Sequence, residues 1–196
     1  MNKKLVTVII VLLAICSLVG WCASKYNMLV KGEENVSAQW AQVENAYQRR
    51  ADLIPNLVET VKGYATHEEK TLTEVVEARS KVSQVVVDPL NITADALAEY
   101  QAAQNSLSSA LSRLLVVRES YPELKADAMF LELQAQLEGT ENRINVARDK
   151  FNETAKEFNT SLRQFPTNIV AALFHFETKP YFKADESAAT APKVSF

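Results

Sequence analysis

The sequence predicts an all-α protein: an N-terminal transmembrane helix followed by an elongated antiparallel helical bundle of about four long helices. Three observations predict it. Four glycines in 196 residues leave the chain few places to turn. The composition is rich in Ala, Leu, Glu, Gln and Lys, which lose little side-chain entropy in a helix. Downstream of the N-terminus, apolar residues recur at three- and four-residue steps. A chain with 47% hydrophobic and 23% charged residues suits one core with appendages. The reading is an anchor over 1–24, a bundle over 25–183 and a loose tail over 184–196.

The anchor comes first. LVTVIIVLLAICSLVGWCA, from Leu5 to Ala23, runs for about 19 residues without a charge, and at a rise of about 1.5 Å per residue it nearly matches a hydrocarbon core of about 30 Å. Leu5, Ile9, Ile10, Leu12, Leu13, Leu18 and Trp21 form its membrane-spanning set. Lys3 and Lys4 resemble the basic start of a signal peptide, but such apolar regions run about 7–15 residues and end in small residues, where this chain has Trp21. The same Trp21 speaks against lipidation of Cys22, because VGWC lacks a small residue before the cysteine. An uncleaved span is therefore favoured over cleavage or lipidation. Lys3 and Lys4, set against Lys25 and Lys31, narrowly favour an inside N-terminus and a translocated bundle. Cys16 and Cys22 both belong to the apolar run, so the rest of the chain has neither a disulfide framework nor a Cys-ligated metal.

The first bundle helix follows from Val36, Trp40, Val43, Tyr47, Arg50, Ile54, Leu57, Val61 and Tyr64, a coiled-coil-like seam. It passes through Pro55, which lacks a backbone donor and crowds the preceding turn, so a kink or break is expected near Asp52–Ile54. Thr66 with Glu69 predicts a capping box for a second helix through Val87, with Leu72, Val75, Val76, Arg79 and Val82 on one side. Asp88-Pro89 ends it, and Asn91 begins an NIT sequence read as a loop. Thr93 caps a third helix, reaching about Ser120, that buries Leu97, Tyr100, Leu107, Leu111 and Leu114. SYPELK breaks the chain again. From Ala126 a heptad series follows, with large Phe130, Leu137, Ile144, Phe151, Phe158 and Phe165 accompanied by Leu133, Thr140, Ala147, Thr154 and Ser161. Pro166 stops this long helix, and TNIVAALF adds a short amphipathic one. Loops this short make neighbouring helices antiparallel.

Arg50 stands out because it occupies a seam position, where an unpaired charge is costly. Glu44, Asp52, Glu119 and Glu141 are candidate partners. Glu141, beside the small Thr140, leaves room for a guanidinium, so an Arg50–Glu141 pair fixing helix register is expected. Arg49 reads as solvated. Arg50, Asp52, Pro55, Asn56 and Glu141 together form the structural motif of QRRADLIPN and its partner helix. His67 with Glu68 and Glu69 hints at a metal site, but only His175 offers a second imidazole and no familiar ligand spacing is present. Asn27, Asn56, Asn152 and Asn159 fit cross-helix hydrogen bonding or exposure to water better than a ligand groove. No catalytic motif of the nucleophile-elbow, P-loop or dinucleotide type occurs, and no cofactor is expected. A net charge of −3 without a basic stripe argues against nucleic-acid binding.

YNMLV after the anchor, then QRRADLIPNLVETVKGYATHE, EARSKV, ESYPELKA, LEGTENRINVARDKFNETAKEFN and FPTNIVA resemble the LemA family over nearly the whole chain. That resemblance implies a bacterial membrane protein with one N-terminal span and an elongated helical domain, and it brings no catalytic residues. It also implies lipoprotein relatives at the position of Cys22, a pattern from which Trp21 departs. The expected function is a non-catalytic, membrane-anchored interaction or scaffold protein of the bacterial cell envelope. It would sit in the cytoplasmic (inner) membrane as a single-pass protein, with the bilayer, envelope proteins or its own copies as partners. The alternatives are a small cell-wall- or lipid-active enzyme using glutamates of the bundle, and a lipid-shaping membrane assembly.

Overall fold

The computed structural model describes residues 3–65 and 67–183. Among these every regular element is helical. Helix α1 spans Lys3–Tyr64, α2 Glu69–Gln84, α3 Ala94–Val117, α4 Pro122–Ala126, α5 Ala128–Arg163 and α6 Thr167–Leu173, with a 3-10 turn at Arg118–Ser120. At about 1.5 Å per residue, the 62 residues of α1 make a rod of roughly 93 Å. Its N-terminal part stands clear of the bundle. From Leu29 onward it is the central stave, and it crosses from anchor to bundle without a linker.

α1 and α5 pair antiparallel along most of the bundle. Tyr64 donates to Asp127 at the far end (2.9 Å), Arg50 meets Glu141 in the middle (3.2 Å), and Gly32 approaches Phe158 at the near end. A Cβ on Gly32 would lie 2.9 Å from the Phe158 ring, so this glycine permits close approach of the two helices. α2 and α3 form a second antiparallel hairpin, tied on its outer face by Arg113 and Glu74 at 3.1 Å. α3 runs beside α1 through large side chains. Trp40 sits edge-on to Tyr100 (5.2 Å) and Phe151 (5.7 Å) and stacks on Phe182 (6.0 Å).

The apolar interior is divided in two. A near cluster joins Leu29–Tyr47 of α1 to Leu97, Tyr100, Ile144, Phe151, Phe158 and Val170. A far cluster joins Ile54–Val61 to Leu72, Val75, Leu107, Leu114, Leu124, Phe130 and Leu137. Burial of large aliphatic and aromatic side chains in each, at about 1.5–3 kcal/mol per side chain, supplies the main driving force. Between them lies a polar layer.

Several sequence expectations are corrected. Of the kink or break expected at Pro55, the break does not occur, and the reason is local: the carbonyl of Ala51, which a residue-55 amide would have bonded, accepts instead from Arg79 Nε of α2 at 3.1 Å. Tyr64 is exposed, and Ala65 closes the seam. Val76 faces solvent, and α2 stops at Gln84. Beyond it the chain is extended, burying Val87 and exposing Val86, so the β-branched run behaves as a short extended connector. The N-cap of α2 is Glu68, without a side-chain cap bond, while the Thr66 capping expectation lies outside the described residues. On α5 the heptad knobs are buried through Phe158, but Phe165 is exposed. In the last two heptads Ala155 and Leu162 replace Thr154 and Ser161 as companions. A straight helix drifts about 20° per heptad, which moves the buried stripe by one position over this length. The Thr93 cap is present, its hydroxyl accepting from Ala96 N–H. The tail from 184 onward lies outside the described residues.

Candidate functional site

The polar layer is built by one buried residue from each of three helices. Arg50 of α1, Gln104 of α3 and Thr140 of α5 are all nearly inaccessible, and Arg50 is only 3% exposed. Its guanidinium donates to Ser108 Oγ (2.8 Å), Glu141 Oε2 (3.2 Å), Gln104 Oε1 (2.5 Å) and the Gln104 carbonyl (3.4 Å). It also lies over the Tyr47 ring at 5.0 Å, a cation–π contact. Burial pulls Arg50 below its ordinary pKa, and Glu141 and then Tyr47 oppose that pull. A guanidinium stays charged even so, and the layer meets its two terminal nitrogens with hydrogen bonds, while Arg50 Nε and Gln104 Nε2 are buried without one. Burial also pushes up the hydroxyls of Tyr47 and Tyr100 and the carboxyl of Glu44.

Of the candidate partners of Arg50, the structure brings Glu141 to it. Asp52 accepts from Gln48 at 2.7 Å on the surface, and Glu119 pairs with Lys125 and Arg118. Pro55 and Asn56 lie on the exposed face of α1, where the Asn56 carbonyl accepts from Thr60. A hollow of about 480 Å³ opens beside Arg50, lined by Tyr47, Gln104, Ser108, Glu141 and Arg148, and Glu141 is its one acidic residue. His67 lies in the turn at the far end of the bundle and His175 after α6 at the near end. Among the described residues no group of three or more His, Cys, Asp and Glu is placed to hold a metal ion.

Asn152 and Asn159 do work together, on a segment that no sequence pattern singled out. The Asn159 amide donates to the Lys179 carbonyl (2.8 Å) and accepts from Lys179 N–H (2.8 Å). Asn152 makes the same reciprocal pair with Phe182 (3.1 and 2.8 Å). Seven residues of helix rise about 10 Å, and three residues of extended chain cover about 10 Å. Two asparagines one heptad apart therefore match two backbone positions three apart, and they strap residues 177–183 along α5. The strap drives Phe182 into the Trp40 cluster and buries the Lys179 ammonium, which donates to Glu33 (2.7 Å) and the Leu90 carbonyl (2.8 Å). Lys179, Glu33 and Gln104 are the consequential residues that sequence reading missed. Asn27, by contrast, is exposed.

The N-terminal part of α1 presents its apolar side chains on all faces. Leu5, Ile9, Ile10, Leu12, Leu13 and Leu18 are 45–65% exposed. This is the one helix among the described residues that is long and apolar enough to cross a membrane. Trp21 differs from the rest of its set, being partly buried with Cys22 against the near core cluster.

Comparison with known sequences then decides the family: its profile matches residues 39–196, which include every bundle element except the start of α1. The chain belongs to the LemA family. It is 26% identical over 160 residues to the protein LemA of Metamycoplasma hominis, an alignment covering 82% of this chain and 69% of that one. It is 23% identical over 199 residues to the magnetosome protein MamQ 2 of Paramagnetospirillum magneticum, covering 93% and 73%. The magnetosome protein MamQ of Magnetospirillum gryphiswaldense is 26% identical over 175 residues, covering 81% and 64%. The polar layer of this LemA-family chain falls wholly inside the matched region.

Proposed function

We propose that this chain is a non-catalytic, membrane-anchored interaction protein of the bacterial cell envelope, with residues 1–24 as its anchor and 25–183 as the domain that meets partners. The observation that carries the reading is the continuity of α1, one helix that is apolar and exposed on all faces before Trp21 and a buried bundle stave after Leu29. A helix crossing that boundary without a hinge holds the bundle as a rod on the membrane and transmits its orientation. Lys3 and Lys4 favour an inside N-terminus and an extracytoplasmic bundle at the cytoplasmic membrane. In this reading the Arg50 layer is the register device. A slip of α5 by one heptad would set the guanidinium against Leu133 or Ala147 in place of Thr140 and put Gln134 or Arg148 where its one carboxylate partner, Glu141, now lies.

Similarity to proteins named for the magnetosome supports a second reading, in which copies assemble with one another on a membrane. Crosslinking in intact cells, followed by purification of the full chain and mass spectrometry, separates the two. Reproducible capture of one envelope protein supports a partner-binding scaffold, and capture of the chain by itself supports assembly. Capture of neither, together with cleavage of an envelope fraction by the purified protein, would overturn both.

A further inference from the structure

α6 turns Thr167, Val170 and Ala171 inward and leaves an apolar outer face. Ile169 and Leu173, one turn apart, are both more than half exposed, with Phe174 beside them and Phe165 just before at 81%. Four large apolar side chains exposed together on so short a segment mark a binding surface. Its position names the occupant. α6 packs on α1, and Val170 and Ala171 belong to the same core cluster that receives Trp21 and Cys22, the last turn of the apolar run. One turn further on, Tyr26 meets Phe174 at 4.8 Å and Phe176 at 5.8 Å.

The lengths leave no spacer. Leu5 to Ala23 rises about 28 Å, so spanning a hydrocarbon core of about 30 Å uses all of it, Trp21 and Cys22 included. Tyr26, one turn past Cys22, is then at the headgroups, and its contact with Phe174 brings the end of α6 to that level. Trp21 and Tyr26 then occupy the depth at which Trp and Tyr gather, and Lys25, next to Tyr26 in the chain, and Arg163, two residues before Phe165, supply positive charge suited to anionic headgroups. We propose that the outer face of α6, with Phe165, Ile169, Leu173 and Phe174, is a second membrane contact that docks the base of the bundle onto the bilayer surface beside the span.

This inference rests on the anchor reading, and its test separates the two. The full chain is reconstituted in vesicles of phosphatidylcholine and phosphatidylglycerol with a benzophenone amino acid at one exposed site, either Leu13 in the span, Ile169 in α6 or Met129 at the far end of the bundle. The expected result is lipid adducts at 13 and 169 and none at 129. Loss of the 169 adduct while 13 still labels, or an adduct from 169 to a second copy, would overturn the docking proposal and leave the anchor standing. Absence of lipid adduct at 13 would overturn the anchor itself. A companion variant, Phe165→Ser with Leu173→Ser, alters exposed side chains only and should keep the helical circular dichroism while losing the 169 adduct. An undiminished adduct would show that the apolar face is not what holds it there.

Discussion

Arg50 is buried on one side of its ion pair only, since its partner Glu141 is 50% exposed. The two ends should therefore respond unequally. Arg50→Ala leaves Gln104 and Ser108 facing a void and should cost about 3 kcal/mol. Glu141→Gln lets water replace a half-exposed carboxylate and should cost less than about 1 kcal/mol. Urea unfolding of both variants checks the order, and an Arg50→Met protein with full stability and unchanged helix packing would remove the register role. Arg79 offers a second asymmetry. Arg79→Leu leaves the Ala51 carbonyl unpaired beside Pro55 and should cost about 1–2 kcal/mol, whereas in a Pro55→Ala background a restored backbone N–H makes the same change nearly neutral. Additive effects in that double-mutant cycle would contradict the repair. Asp127 sets a pH dependence. Phe130 N–H and then Tyr64 OH hold its carboxyl below the usual aspartate value, so its contribution is complete above the unfolded value of about 3.9 and is lost as pH falls through the lower folded value. The difference in Tm between wild type and Asp127→Asn should be constant above about pH 5 and should shrink below about pH 4, whereas a constant difference down to pH 2.5 would deny the linkage. Arg50 was visible in the sequence because a charge in an apolar seam is an anomaly. Arg79 was placed on the apolar side of its helix in the same way, but its acceptor was not legible, and Gln104 and Ser108 were not visible at all, because a polar residue on a helix shows its partner only after the helices are placed.

Element by element, the long periodic helices were legible and their edges were not. α3 and α5 show their buried faces in the sequence because apolar side chains at helical spacing have one way to be covered, and the Thr93 cap marks its own helix start. The break allowed for at Pro55 is absent for a physical reason: the rule that proline breaks a helix assumes that the freed carbonyl stays unpaired, and a side chain from another helix pairs it here. The strap over residues 177–183 was illegible because it has no period. Its fixing groups, Asn152 and Asn159, lie on a different element, and only tertiary structure brings the two amides to the backbone positions they match. Replacing both with Ala removes five hydrogen bonds, three of them involving buried Asn159, and should cost about 2–4 kcal/mol. The amides of Lys179 and Phe182 should lose hydrogen-exchange protection while those of α3 keep theirs. Retained protection at both amides would mean that Phe182 packing alone holds the strap.

At the scale of the whole molecule, one helix has two differently covered halves. The bundle end of α1 is stabilised by apolar residues covered by α3 and α5, and the N-terminal end has the same residue types covered by nothing in the fold, so lipid is the medium that suits them. The most direct test is alkaline carbonate extraction of cell membranes containing the full chain, beside an Ile9→Asp, Leu13→Asp variant. Two aspartates in the span oppose insertion by roughly 6 kcal/mol and lie far from the bundle core. Wild type is expected to stay in the membrane pellet and the variant to be released with its helical circular dichroism intact. Release of wild type by carbonate, or retention of the variant, would contradict the span.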